Sequence, residues 1–311
     1  MINTGKSTRA ENFCQTITAV KAIHRILKLS APFSARREQR LSQMASCLDY
    51  SFFMASPPNS DCLAKTYTSI EDLRRDYQKD GYVSIKALIP RGRLEKIEAE
   101  LVDTFSEYAS DVSYPIDSAI INLDRDNKSL LHELHMATTK LISLRSVFAL
   151  LADVVYDLSS SVAPVYEISG GYLLGIPADT RLVYDFHQES NYMREFKEVF
   201  NFHFPLLRNS TRENGTMSVL AGSHKIGTVS FEKKRVSQNS YTNLIPTEIE
   251  KIQSEFPEVH CILELGDCVV FHKDLVHKSN FNVSKLCRPV GTARLTQNKR
   301  GSWVMKTPDQ L

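Results

Sequence analysis

The residues best equipped for chemistry sit in Phe186-His187-Gln188-Glu189-Ser190-Asn191-Tyr192, where an imidazole and a carboxylate stand two positions apart. In an extended strand residues i and i+2 project from one face, so His187 and Glu189 can grip one metal ion while Gln188 points away. A second histidine would complete a two-histidine, one-carboxylate set, the facial arrangement that leaves coordination positions of a non-haem Fe(II) ion open. Downstream, His277-Lys278-Ser279 supplies one, with Arg288 beyond it, and His272 is the other contender. Five residues apart, the two histidines have opposite parity within a strand and do not both face one ion.

A His-x-Glu pair alone also suits a solvated strand, so the order of the residues that follow decides its weight. Asn214-Gly215-Thr216-Met217-Ser218-Val219-Leu220-Ala221-Gly222-Ser223-His224-Lys225 is followed by Gly266-Asp267, His272, His277, Ser279 and Arg288. With these motifs in sequence, the region from residue 66 to 296 resembles the phytanoyl-CoA dioxygenase family of Fe(II)/2-oxoglutarate oxygenases. The resemblance implies Fe(II) held by His187, Glu189 and His277, with 2-oxoglutarate and O2 as cosubstrates. It also places Arg288 and Ser279 as the anchors of 2-oxoglutarate, the guanidinium clamping the far carboxylate through two parallel hydrogen bonds. Arg294 is the fallback for that clamp. The implied activity is hydroxylation of a small-molecule substrate with release of succinate and CO2.

Glu189 departs from the family's usual aspartate by one methylene, and its carboxylate still reaches a metal when the side chain bends. A carboxylate at this place argues against halogenation, which needs that coordination position open. The alternative from a different class is a binding or scaffold protein that keeps a jelly-roll of this family but does not turn over.

Other polar residues have plainer roles. His224 follows a Gly-Ser turn and suits a backbone cap. His132 and His135 lack the i, i+4 spacing of a zinc helix and fit a solvated helix face. Asn201 and His203 alternate with Phe200, Phe202 and Phe204, so they face either solvent or the interior, where they would touch cosubstrate or substrate. Residues 228–260 exceed a hairpin connection and suggest a partly helical lid over the substrate mouth.

The elements that must position these residues divide the chain. Ser69 caps a helical pattern, Asp80-Gly81 turns, Val83, Ile85 and Ala87 alternate as a strand, and Pro90 opens a helix with Leu94, Ile97, Leu101, Phe105 and Tyr108 on one face. A further helix carries Leu144, Val147, Phe148, Leu151, Val154, Val155 and Leu158. Seven of the 12 glycines fall between 170 and 266, separating short alternating runs: Leu182 to Glu189, Phe200 to Phe204, and Ile262 to Phe271. Many short strands with helices gathered ahead of them predict a mainly β fold with N-terminal helices, a double-stranded β-helix (a jelly-roll or cupin-like barrel) flanked by α-helices.

Pro57-Pro58-Asn59-Ser60 marks a linker, giving a basic, helical extension with linker over 1–65 and an oxygenase domain over 66–311. The first forty residues carry eight Lys and Arg against Glu11 and Glu38. That bias suits an organellar transit peptide, but Ile17, Val20, Ile23 and Leu27 at helical spacing favour an amphipathic helix on the main domain and a cytoplasmic protein. Thr4-Gly5-Lys6-Ser7-Thr8 lacks the earlier glycine of a phosphate-binding loop. Lys and Arg (38) nearly balance Asp and Glu (36) without a sustained basic run, so no nucleic-acid partner is expected. No apolar run approaches the roughly 20 residues that span a bilayer, so no membrane insertion is expected. Six cysteines without a CxxC pair read as free thiols.

Overall fold

The computed structural model describes residues 60–138, 141–159, 167–177, 183–235, 242–298 and 303–304. The basic N-terminal segment, with Cys14 and Cys47, lies outside them. The described cysteines, Cys62, Cys261, Cys268 and Cys287, are free thiols.

The helical part comes first. Strand β1 (Ser60–Leu63) precedes α1 (Ile70–Asp80), β2 (Tyr82–Ile85), α2 (Arg91–Phe105), α3 (Pro115–Asp126), α4 (Lys128–Thr138) and α5 (Ile142–Leu158). Ser69 caps α1 by accepting the Asp72 N–H at 3.0 Å, and Gly81 ends it in the left-handed region at φ 79°. A Cβ at Gly81 would also lie 2.4 Å from the His224 ring, so the turn needs glycine twice over. That ring donates from Nε2 to the Gln78 carbonyl, which makes His224 a cap. Strand β2 stops at Ile85 rather than running to Ala87, because Ala87 turns to φ 51° with its N–H held by Asp267 Oδ1. On α4 His132 is exposed, but His135 is half-buried and its pKa is pushed down to about 4 by that burial, so the helix face is not uniformly solvated.

The remaining elements are β3 (Glu167–Gly175), β4 (Phe196–Pro205), β5 (Met217–Leu220), β6 (Phe231–Arg235), β7 (Thr242–Pro246), α6 (Ile249–Glu255), β8 (Glu258–Ile262), β9 (Cys268–His272), β10 (His277–Ser279), β11 (Arg288–Asn298) and β12 (Trp303–Val304). One sheet has the order β12-β11-β4-β9-β2, with β3 also on β11; a second has the order β1-β8-β5-β10. Residues 60–63, in the stretch read as linker, thus pair in parallel with β8.

Period-two alternation distributes the strands' side chains between two cores. Phe202 and Phe204 of β4, Cys268 and Val270 of β9, and Ala293 and Leu295 of β11 pack with Leu94, Leu101, Ile120 and Leu151 of the helices. The opposite face of β9, Val269 and Phe271, joins Met217, Val219, Val259 and Cys261 of the second sheet. The large sheet is therefore covered by helices on one side and by the smaller sheet on the other. Asn201, His203 and Arg294, alternating with the helix-facing residues, point to the side between the sheets. The core is mostly β.

Residues 228–260 contain a two-stranded β6–β7 hairpin followed by α6. Ile252 of α6 is buried against Phe186, Leu220 and Val276, so the helix belongs to the core and only the hairpin stands apart. Among the described residues no helix is long and apolar enough to cross a membrane.

Candidate metal centre

His187 is fixed by its backbone. It exchanges both ladder hydrogen bonds with His277, the N–H of each donating to the carbonyl of the other at 2.9 and 3.0 Å. This single bridge, rather than a continuous strand over the described residues 183–189, sets the pair; Leu182 of the expected run lies outside the described residues. Glu189 instead opens a 3-10 turn, Glu189–Asn191. The reason lies in Gln188: its buried amide donates to the carbonyls of Gly227 and Asp274 and accepts the Val229 N–H, drawing the chain off the sheet. Because Gln188 itself stays extended, at φ −121° and ψ 139°, the same-face placement of His187 and Glu189 survives.

Each imidazole also has its tautomer set. A carbonyl oxygen can only accept, so His187 Nδ1 donates to Asp185 O at 2.7 Å and His277 Nδ1 donates to Leu275 O at 2.9 Å. Both Nε2 lone pairs are then free, and they face Glu189 Oε1 at 3.9 and 3.7 Å. Burial, with His277 beside it, pushes the His187 pKa down to about 3, so that ring is neutral near pH 7 and ready to ligate. Burial would raise the Glu189 carboxyl, yet the Arg294 guanidinium holds it well below the usual carboxylate range.

The three ligand atoms lie within 4.8 Å of one another, and all three residues are buried. Bonds of about 2.0–2.2 Å to one ion would put cis donors about 3 Å apart, so the cluster needs only a small contraction to hold one. Two imidazoles that present Nε2 and a carboxylate form a donor set that suits Fe(II). His272 is elsewhere: its Nδ1 accepts the Asp274 N–H and its ring faces His224 and Tyr77.

Arg288 opens β11 and is 4% exposed. Its Nε donates to the Asn214 carbonyl at 2.9 Å, whereas Nη1 is buried without a partner among the described residues. Burial pushes its pKa down to about 10, the mark of a cation with no balancing anion among the described residues. His203, whose Nε2 is likewise buried and unpartnered, has its pKa pushed down to about 3 by burial, Arg288 and His277. Asn201 is buried as well, with one amide hydrogen given to Phe271 O. Ser279 lies two residues past His277 on β10 and so shares its face.

Arg294 takes a place that the sequence reading reserved for a fallback anchor. It grips Glu189 by both oxygens, Nε to Oε2 and Nη2 to Oε1, each at 3.0 Å. The signal available in the sequence was the even spacing of Arg288 and Arg294, which puts both on one face of β11. On the far side of His187, the Tyr192 ring meets the imidazole edge-on at 5.8 Å. Its hydroxyl accepts the Leu244 N–H and donates to Thr242 O, tying the hairpin to the residues after Glu189. Between them lies an open cavity of about 650 Å³ lined by Asn191, Tyr192, Phe231, Lys233, Arg235 and Leu244.

Among solved structures, EvdO2 from Micromonospora carbonacea var. aurantiaca, alone and complexed with 2-oxoglutarate, is similar at 14% identity and a TM-score of 0.54, covering 76% of this chain and 94% and 93% of the respective chains. EctD from S. alaskensis with bound Fe is similar at 14% identity and a TM-score of 0.51, covering 81% of this chain and 84% of EctD. Likeness at this identity speaks to the fold alone, which the chain shares with these proteins. The phytanoyl-CoA dioxygenase (PhyH) family model matches residues 77–290, which takes in every residue of the cluster from His187 to Arg288. By that match, the chain belongs to the phytanoyl-CoA dioxygenase family.

Proposed function

We propose that this protein is an Fe(II)- and 2-oxoglutarate-dependent dioxygenase that hydroxylates a small molecule. The observation that carries the reading is the coincidence, in one chain, of two imidazoles with free Nε2 atoms clustered with a carboxylate and a buried guanidinium whose Nη1 has no partner among the described residues. His187, Glu189 and His277 would hold the iron, and Arg288 with Ser279 would receive 2-oxoglutarate. When bound, iron and 2-oxoglutarate supply oxygen activation, inserting one oxygen atom into a substrate C–H bond and the other into succinate as CO2 leaves.

The chain's own residues organise that chemistry. Arg288 offers a dicarboxylate a charge it cannot satisfy internally, so binding relieves a buried cation instead of desolvating an exposed one. Buried Asn201 and His203 face the space between the sheets, where their unpartnered Oδ1 and Nε2 would meet cosubstrate or substrate. Tyr192 holds the β6–β7 hairpin against His187, placing the open cavity on the approach to the cluster. We read the two facing sheets as the double-stranded β-helix, the oxygenase domain as residues 66–311 together with the β1 strand that pairs with β8, and the hairpin as the cover of the substrate mouth.

The test is anaerobic loading of the purified protein with Fe(II) and 2-oxoglutarate. The weak visible charge-transfer band of the chelate should develop, followed by succinate release on admission of oxygen with a substrate from a metabolite panel. A protein that binds neither iron nor 2-oxoglutarate would instead be a scaffold.

A further inference from the structure

Arg294 is the part of the cluster that a two-histidine, one-carboxylate site does not require. It follows Arg288 by six residues on β11, opposite Asn201, and its side chain keeps 30% exposure where Arg288 is buried. It therefore stands on the open side of the cluster. The two oxygens of Glu189 are not equivalent in its grip. Oε1, which receives Nη2, also faces the imidazoles at 3.9 and 3.7 Å, while Oε2 is taken by Nε.

A glutamate has one more rotatable bond than an aspartate, and carboxylates bind metals through one oxygen or both. If Glu189 wrapped both oxygens around the ion, it would fill a position needed by a chelating cosubstrate or by oxygen. We propose that Arg294 is a positioning residue that makes glutamate serviceable at this place: it holds Oε2 aside, so that Oε1 alone ligates and the remaining positions stay open. The inference rests on the metal centre proposed above. Arg is suited to this because its planar fork fixes both oxygens of a carboxylate at once, which a lysine does not.

The experiment counts open positions on the ion in the full-length chain. Mn(II) is loaded in place of iron, exchangeable waters are counted by proton relaxation, and 2-oxoglutarate is then titrated, for wild type, Arg294→Ala, Arg294→Gln, Glu189→Asp and the Glu189→Asp/Arg294→Ala double variant. Arg294→Ala should lose about one third of the water relaxation, one position of three. It should bind 2-oxoglutarate at least about tenfold more weakly, with Mn(II) affinity not reduced. In the Glu189→Asp background, where the shorter carboxylate falls short of Arg294, the same substitution should change neither quantity. Arg294→Gln, which keeps the side chain's bulk, repeats the comparison if the alanine variant melts early. Unchanged water count and 2-oxoglutarate affinity in Arg294→Ala and Arg294→Gln would overturn the proposal. So would an equal loss in both backgrounds, which makes Arg294 a direct cosubstrate contact, or weakened Mn(II) binding with the water count intact. A wild-type protein that binds no Mn(II) or Fe(II) would remove the metal centre itself.

Discussion

Replacing Arg288 by methionine should make the ligand-free protein more stable and ruin its binding of 2-oxoglutarate. The guanidinium is 4% exposed, its Nη1 has no partner among the described residues, and burial pushes its pKa down to about 10. Against an ordinary value near 12.5 or above, that displacement corresponds to a penalty on the order of 3 kcal/mol. Methionine fills a similar volume without charge but gives up the hydrogen bond to Asn214 O, about 1–2 kcal/mol. The net gain is about 1–2 kcal/mol, which for a domain of this size raises Tm by about 2–8 °C. The ligand side runs the other way. Removing one partner of a desolvated charge pair costs about 2–5 kcal/mol, or about 30- to 3,000-fold at 1.4 kcal/mol per tenfold. Arg288→Lys, with charge but no fork, should fall between. Thermal melting without ligand and an anaerobic 2-oxoglutarate titration of the Fe(II)-loaded proteins read the two effects separately. A methionine variant that melts lower than wild type and binds 2-oxoglutarate equally well would refute the argument, because Arg288 would then be a structural residue.

Substituting His187, Glu189 or His277 by alanine should abolish succinate release while Tm moves by only a few degrees, since none of the three belongs to an apolar core cluster; wild-type turnover in Glu189→Ala would remove the triad. Acid should destabilise the metal-free protein well above the carboxylate range. His187 and His203 have pKa values pushed down to about 3, so below about pH 6.5 the unfolded chain takes up protons that the folded one refuses. That loss runs from pH 6.5 towards 3 and reaches on the order of 1–2 kcal/mol per histidine by pH 5, whereas Glu189, whose pKa is lowered, adds its own loss only at lower pH. Equal urea midpoints at pH 7 and pH 5 would contradict it. Finally, Gly291→Ala should cost about 1–3 kcal/mol, because a Cβ there would lie 2.2 Å from the Phe204 ring on the neighbouring strand; Phe204→Leu in the same chain should recover part of that loss in denaturant melts.

The helices that carry strong caps or stripes were legible, and the ones without them were not. Ser69 and Gly81 bound α1, Pro90 opens α2, and the broad apolar face of α5 is the one that packs. α3 went unread although Ile116, Ala119, Ile120 and Leu123 are buried at helical spacing behind Pro115, because its short stripe is diluted by Asp117, Asn122 and Asp124. Asp117 is itself a buried ion-pair partner of Arg208, a role visible only once β4 and its following loop come alongside. Over the described residues 183–189 the expected strand does not form, for the opposite reason. Alternation signals a strand wherever it occurs, but the hydrogen bonds of the Gln188 amide to three distant backbone groups outcompete a ladder there.

Within the cluster, what the sequence could supply was parity along one strand, and what it could not supply was register between strands. Parity kept His272 and His277 from sharing one ion, with the choice of His277 coming from the family resemblance, and it put His187 with Glu189 on one side. It left Asn201 and His203 undecided, since a strand covered on both faces gives no polar-out rule; the helices over Phe202 and Phe204 settle the side. Parity also placed Arg288 and Arg294 together, yet their partners differ because the register of β11 sets Arg288 beside Gly175 and Arg294 beside Asn201. Six residues at about 3.3 Å each separate the two Cα atoms by about 20 Å, so side-chain reach, not spacing, decides what each one meets. One finds the carboxylate of Glu189, and the other is left with a backbone carbonyl and a buried charge. Among the described residues, Arg288 rather than Arg294 is therefore the guanidinium we propose for an anionic cosubstrate, because it can bind without first breaking an ion pair.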